Sequence, residues 1–317
     1  MKLSVCITTY NHDKYIAQAL DGVLMQKVNF PYEIVIGEDG STDNTKNILI
    51  NYKNKYPDKI HVLFQEKNIG MMRNFEQTLK SCRGEYIALL DGDDWWVSPH
   101  KLQMQVDFLE SHPDFSICFH PVMIHKDGAI ENNNYKFPEK AKDVSFFEDL
   151  LYINYIPTCS VMFRNNRIRD LPDWFHKLKM GDWPLHLLNA QHGKIKYINN
   201  IMAAYRVHSN GVWSSLDKIS IWSATIEAFQ CFKAHFNYRY RRFINNRIAD
   251  MYLELAIFCE DNDIQSAKGY ILKSMIHNIY NQNIPGFRSY KMFLRYYFPK
   301  LYKIIKHGLS QFRVGVS

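Results

Sequence analysis

LLDGDDWW, Leu89–Trp96, sets three carboxylates within four residues, behind an apolar run and ahead of two tryptophans. Asp91 and Asp93 leave a strand-like segment, and Gly92 lets the backbone turn so that both carboxylates and Asp94 crowd together. Such crowding is electrostatically unfavourable unless a cation offsets it. Hard divalent ions with oxygen ligands, Mn²⁺ or Mg²⁺, suit such a set, often held by one or two carboxylates plus substrate phosphates. The simpler reading of the same residues is a polar turn with Asp94 solvated.

Working outward, the first hundred residues alternate apolar strand-like runs with helical patterns, the signature of parallel βαβ units. LSVCITTY, YEIVIGEDG, KIHVLFQE and EYIALLDGDD read as strands, and the segments between them as helices, one spanning Met71–Cys82. Ser98 and Pro99 give a helix start with a plausible cap. FSICFHPVMIHK, CSVMF and KIKYINNIMAAYRVH read as further strands, around a polar stretch near Asn132–Asn134. Asp182–Gln191 reads as a helix, and only helical signals follow Ser215, broken near Asn237, Asn262 and Pro285. In open α/β sheets ligands bind outside the carboxyl ends of the strands. Those ends are Thr8–Asn11, Gly37–Thr45, Glu66–Asn74 and Asp91–Asp94, all polar, and they are expected to share one edge.

Composition narrows the class. With 317 residues, 46% hydrophobic and 22% charged, the chain has ordinary globular content. Six scattered cysteines show no zinc spacing, which fits a reduced, cytosolic compartment. MKLSVCITTYN lacks the features of a secretory signal, and no apolar run approaches the ~20 residues of a spanning helix. The phosphate loop G-x-x-x-x-G-K-[ST] and the dinucleotide fingerprint G-x-G-x-x-G are both absent.

The ordered set VCITTYN, IVIGEDGSTDNT, EKNIGMMRN and LLDGDDWW closely resembles the nucleotide-sugar-binding half of glycosyltransferase family 2, over about residues 1–210. The resemblance implies a GT-A fold: α/β, Rossmann-like, with a mostly parallel central sheet flanked by helices, here carrying an all-helical C-terminal extension. The expected division is 1–214 for the catalytic domain and 215–317 for the helical region. Thr8, Tyr10 and Asp39 match positions that hold the nucleotide base, Asp39 accepting a ring N–H, and Asn11 closes the same donor loop. Arg73 sits where a basic residue approaches the base or diphosphate. Asp91 matches the acid near the ribose and Asp93 the metal-binding acid of the D-x-D motif, with Asp94 able to share that role. Glu38 departs from the commoner aspartate.

A sugar transfer also needs a base for the attacking hydroxyl. Asp182, in MGDWPLHLL, matches the family's catalytic acid, with Gly181 in place of the usual preceding Glu. The alternative is that Asp182 merely caps a helix whose first turn holds Pro184. AAYRVHSNGVWS, Ala203–Ser214, resembles the segment that closes over the donor phosphates, so His208 is a candidate metal ligand and Arg206 a candidate phosphate contact. Trp95, Trp96 and Trp183 form either an aromatic wall for sugar or acceptor, or core.

Charge is uneven along the chain. From Ser215 onward there are 15 Lys+Arg against 7 Asp+Glu, whereas residues 1–214 hold 24 against 25, and no acid follows Asp263. In YKMFLRYYFPKLYKIIKH, Phe293, Leu294, Tyr297, Phe298, Leu301, Ile304 and Ile305 share one helical face and Lys291, Arg295, Lys303 and Lys306 the other, with Pro299 as a kink. This basic amphipathic pattern suits an anionic bilayer surface, or a helix packed on its own domain or on another copy in a homo-oligomer. Nucleic acid is disfavoured, because the front domain carries about zero charge and no motif for it is present.

The expectation is an inverting glycosyltransferase using a nucleoside-diphosphate sugar, with UDP as the nucleotide, and a hydroxyl acceptor such as a lipid-linked glycan of bacterial surface polysaccharide. It would be cytoplasmic, or peripheral on the inner face of the membrane. The alternatives are a sugar-phosphate nucleotidyltransferase, whose Gly-rich N-terminal loop is missing, and a non-catalytic nucleotide-binding scaffold.

Overall fold

The computed structural model describes residues 1–126, 129–131, 142–165, 171–209, 211, 216–280 and 287–303. The stretch at Asn132–Asn134, Pro285 and the tail from residue 304 lie outside them. Two compact units divide the chain, Met1–Ser215 and Leu216–Ser317.

In the first unit, β1 (Leu3–Thr9), β2 (Tyr32–Glu38), β3 (Ile60–Phe64) and β4 (Tyr86–Asp91) alternate with α1 (Ile16–Leu24), α2 (Thr45–Lys55) and α3 (Met71–Ser81). The four strands pair in parallel in the order β3-β2-β1-β4. Their near-continuous apolar runs follow from burial on both faces. Parallel pairing puts the four polar strand ends on one edge, as expected from the sequence. Thr8 stands opposite Gly37 on one side and Asp91 on the other.

Beyond β4 the chain forms β5 (Trp95–Trp96), α4 (Lys101–Ser111), β6 (Phe115–Phe119), β7 (Val122–Lys126), β8 (Ala129–Glu131), β9 (Val144–Ser145), α5 (Phe147–Tyr152), β10 (Met162–Arg164), α6 (Asp182–Ala190), β11 (Lys194–Tyr197) and β12 (Ala203–Val207). The central sheet continues through β10-β6-β11-β9, with β10 antiparallel to β4, and a second sheet runs β5-β12-β7-β8. This is the α/β, GT-A architecture with a mostly parallel sheet.

Two single strands expected from the sequence each prove to be two. FSICF and VMIHK part at His120–Pro121, and KIKY and AAYRV at residues 198–202, each half joining a different sheet. Pro121 has no N–H to give a ladder. β6 and β11 run parallel in the large sheet and β7 and β12 in the small one, so two bent strands carry the chain from one to the other. The helix expected at Ser98 starts at Lys101, with Ser98 Oγ accepting the His100 N–H.

The second unit holds α7 (Lys218–His235), α8 (Arg241–Cys259), α9 (Ile264–Tyr280) and α10 (Phe287–Tyr297). Asp217 caps α7 by accepting the Ser220 N–H at 2.9 Å, the bond an N-cap carboxylate supplies. Among the described residues no helix is long and apolar enough to cross a membrane. None of the six cysteines forms a disulfide.

One buried cation underlies the acidic loop. Lys101 is fully buried, with Nζ 2.7 Å from Gln105 Oε1 and 4.3 Å from the centre of the Trp96 ring. Burial lowers its pKa from 10.5 to about 7. A lysine that folding makes more acidic costs stability while charged, so its contribution should make stability rise with pH between about 7 and 8.5, above which the buried thiols of Cys6, Cys118 and Cys159, raised by folding, oppose it. Lys101→Met should abolish that rise in urea unfolding followed against pH. An unchanged slope would show that Lys101 is not the group responsible.

Candidate active site

The acidic loop is fastened to β1. Thr8 Oγ1 donates to Asp91 Oδ1 at 3.2 Å, and the Gly92 N–H donates to the Thr8 carbonyl at 2.9 Å. A Cβ at Gly92 would stand 2.7 Å from both His12 Nδ1 and Thr9 Oγ1, so no larger residue fits without displacing them. Asp93 then lies between two imidazoles, His208 Nε2 at 2.9 Å and His12 Nε2 at 3.9 Å from its Oδ2. Burial works to raise the Asp93 pKa, but the bond to His208 and the nearby His12 hold it below the usual value. Asp91 has no such support: burial first, then the charges of Asp93 and Asp182, push it up to about 7.

β12 grips this loop at three points. The Arg206 N–H donates to Asp94 Oδ1 at 2.8 Å, Arg206 Nε donates to the Asp93 carbonyl at 2.8 Å, and His208 meets the Asp93 carboxylate. The Arg206 guanidinium lies 4.5 Å from the ring centres of both Tyr15 and Trp95 and also donates to Gln18 Oε1 at 2.8 Å. Arg206, the expected phosphate contact, thus also positions the loop through its backbone N–H and Nε. Asp94 is held differently from Asp93. It is buried, tied to Arg206, and held beside the Cys159 thiol, so Asp93 is the acid paired with His208.

Among the described residues no three acids, histidines or cysteines are already gathered as a metal cage. Asp93 Oδ2 and His208 Nε2 nonetheless fit two places on a divalent ion. Their 2.9 Å separation matches the ~3.0 Å edge between neighbouring ligands at ~2.1 Å octahedral bonds.

Asp182 opens α6, with Gly181 as the residue before it. A Cβ on Gly181 would come within 2.9 Å of the Phe75 ring, which explains why no glutamate precedes the aspartate here. Asn154 Nδ2 donates to Asp182 Oδ2 at 2.9 Å. Burial raises the Asp182 pKa despite bonds from the Trp183 N–H and Asn154. Its charge raises Asp91, after burial and the charge of Asp93, which puts the base candidate in the neighbourhood of the acidic loop. Gly181 is the N-cap residue and Asp182 the first residue inside the helix, its carboxylate taking the Trp183 N–H of the first turn, so a helix-end role and a role as base are compatible with its place.

The aromatic wall is mostly core. Trp96 and Trp183 are buried and donate through Nε1 to the Cys159 and Leu150 carbonyls, each at 2.9 Å. Only Trp95 is half-buried, against Arg206 and the edge of His125.

On the nucleotide side, Asp39 follows β2, and its N–H donates to the Thr9 carbonyl at 3.1 Å. It is buried and accepts the N–H groups of Ile69 at 2.8 Å and Gly70 at 3.1 Å, one on each oxygen. Burial, ahead of these bonds, raises its pKa. Glu38 is also buried, with Oε1 accepting the Ser41 N–H at 2.6 Å and Oε2 lacking a partner. Asn11 is exposed, has φ 54° and accepts from the Thr42 N–H at 2.8 Å through Oδ1, which locks a turn. Tyr10 is exposed at the end of β1, and Arg73 is exposed in the first turn of α3.

Sequence reading missed His12, Tyr15, Gln18 and Asn154. His12 follows the TTYN strand end and was within reach of that signal. Asn154 lies in an irregular segment with no pattern to mark it.

The chain is 38% identical over 238 residues to an uncharacterized protein of Mycobacterium tuberculosis, covering 71% of this chain and 67% of that one. It is 27% identical over 194 residues to the poly(ribitol-phosphate) beta-N-acetylglucosaminyltransferase TarS of Staphylococcus aureus, covering 60% and 32%. The crystal structure of TarS 1–349 in complex with UDP-GlcNAc shares the fold, with TM-score 0.64, 18% identity and 93% and 91% coverage. The mannosyltransferase PcManGT of Pyrobaculum calidifontis, in complex with GDP-Man and Mn²⁺, shares it at TM-score 0.54 and 14% identity, covering 94% and 88%. The profile of Glycosyl transferase family 2 matches residues 4–168, more than half the chain, and the chain belongs to that family.

Proposed function

We propose that this chain transfers a sugar from a nucleoside-diphosphate donor, with UDP as the nucleotide, to a hydroxyl of a glycan or lipid-linked acceptor, with inversion at the anomeric carbon. The observation that carries the reading is a further acid near the loop: Asp182, held by Asn154 at 2.9 Å and close enough to Asp91 for its charge to be felt. One acid is thereby set at the donor loop and another is held for proton transfer.

Each residue has a task in this reading. Tyr10, Arg73 and the 66–70 loop border the base, and Asp39 pins that loop while each of its oxygens keeps a second lone pair for a ring N–H. Thr8 and Asp91 meet the ribose. Asp93 and His208 hold Mn²⁺ or Mg²⁺, which when bound supplies positive charge to the diphosphate leaving group. Asp182 accepts the proton of the acceptor hydroxyl as its oxygen bonds to the anomeric carbon. The bond from that carbon to the diphosphate oxygen breaks with its electron pair, releasing the nucleotide. Attack opposite the leaving group inverts the centre. The ligands named for TarS and PcManGT, UDP-GlcNAc and GDP-Man with Mn²⁺, support a nucleotide-sugar donor.

Asp182→Asn should lower kcat by about 10²–10⁴-fold while UDP binding, measured by isothermal titration, stays within about twofold; equal losses in both would remove Asp182 from the chemistry. Asp93→Ala should abolish the Mn²⁺ dependence of UDP binding in the same titration.

The pH profile gives a further check. Burial raises the Asp182 pKa, so the acid limb of kcat should lie above the ordinary carboxylate range, activity growing as Asp182 loses its proton. The Asn154 bond lowers that pKa, so Asn154→Ala should move the limb to higher pH. A limb that stays in place would mean that another group controls it.

A further inference from the structure

Sequence alone makes the stretch after Asp263 free of acids, with Lys268, Lys273, Arg288, Lys291, Arg295, Lys300 and Lys303 among its described residues. The structure shows how much of the amphipathic pattern is used up inside the second unit. Met292 and Leu294 are buried, Met292 against Leu253, Ala256 and Ile271, and Phe293 packs on the same cluster. That part of the expected apolar face therefore serves its own unit. The rest does not: Phe298 is 51% and Leu301 46% exposed. Tyr297 Oη donates to the Lys268 carbonyl at 3.1 Å, which brings this end of the segment against α9. On α9, Leu272 and Ile276 are one helical turn apart and 41% and 42% exposed, so they share a face.

The charges sort the same way. Among the described residues, Arg288 and Arg295 are paired with Glu254 and Glu260 of the second unit. Lys273, Lys300 and Lys303 have no acidic partner there. What is left outward is a mixture of aliphatic and aromatic side chains with lysines.

We propose that this α9–α10 face docks on an anionic lipid bilayer, with Phe298 and Leu301 entering the boundary between headgroups and acyl chains and Lys300 and Lys303 meeting lipid phosphates. Bare leucine and isoleucine gain from an apolar phase, whereas on RNA they would stay wet, since base stacking needs aromatic planes. A second copy would bring the same uniformly positive face and be repelled. The proposal goes beyond the donor chemistry and does not depend on it.

The test is co-sedimentation of the full chain with vesicles of phosphatidylcholine, alone or with about one third phosphatidylglycerol. Binding is expected to the anionic vesicles only, and to be lost at high salt. Neutralising lysines should weaken it roughly fivefold each, so Lys300→Gln with Lys303→Gln should cost roughly 25-fold. Phe298→Ser with Leu301→Ser should cost about tenfold or more. All four sites are exposed, so circular dichroism and UDP titration should match wild type. Equal binding to neutral vesicles, indifference to both pairs, tighter binding of single-stranded RNA at the same salt, or a dimer that Phe298→Ser with Leu301→Ser dissolves would each overturn the proposal. Asp93→Ala should bind vesicles normally, which keeps this result separate from failure of the proposed reaction.

Discussion

Mutual repulsion among Asp91, Asp93, Asp94 and Asp182 is the constraint to which the rest of the first unit is fitted. Four carboxylates share a largely buried place, where each charge is costly. The chain meets that cost differently at each position. Asp93 is stabilised by His208 and His12, Asp94 by the Arg206 N–H, and Asp182 by Asn154 and the start of α6. Asp91 receives the Thr8 hydroxyl and is pushed up to about 7 by burial first and then by the charges of Asp93 and Asp182. A site strained in this way gains most from a ligand that brings positive charge.

The fold exists around that site in a specific sense. Parallel pairing of β1 through β4 brings four loops to one edge, and the two bent strands then lead β12 back across the acidic loop. Arg206, between Tyr15 and Trp95, joins this strand to α1 and to the loop at once. Beneath, Lys101 packs on Trp96, and Trp96 bonds to Cys159. Trp96 is thus part of the floor beneath the acids.

Much of this was legible in the sequence. Long apolar runs ended by TTYN, GEDG and DGDD specified a parallel sheet and its active edge, because burial on both faces and polarity at one end leave few alternatives. Asp91, Asp93, Asp182 and His208 could be singled out because their residue types and motif context carry chemical meaning, and the structure sets His208 against Asp93 and Asp182 near Asp91. The division of labour between Asp93 and Asp94 was not legible, since neighbouring residues of one type differ only in which way the turn sends them. Nor was Arg206, whose partners Tyr15, Gln18 and Asp93 are remote in sequence. The breaks at His120–Pro121 and at residues 198–202 escaped notice because apolar composition runs straight through both.

The central claim is that the acidic loop is built to receive a divalent ion with a nucleotide diphosphate. A crystal structure of the chain grown with UDP and Mn²⁺ tests it most directly. The account predicts the metal on Asp93 and His208, with the diphosphate as its remaining partner and Asp182 facing the open side. Metal and nucleotide bound elsewhere, with Asp93 still hydrogen-bonded to His208, would contradict it.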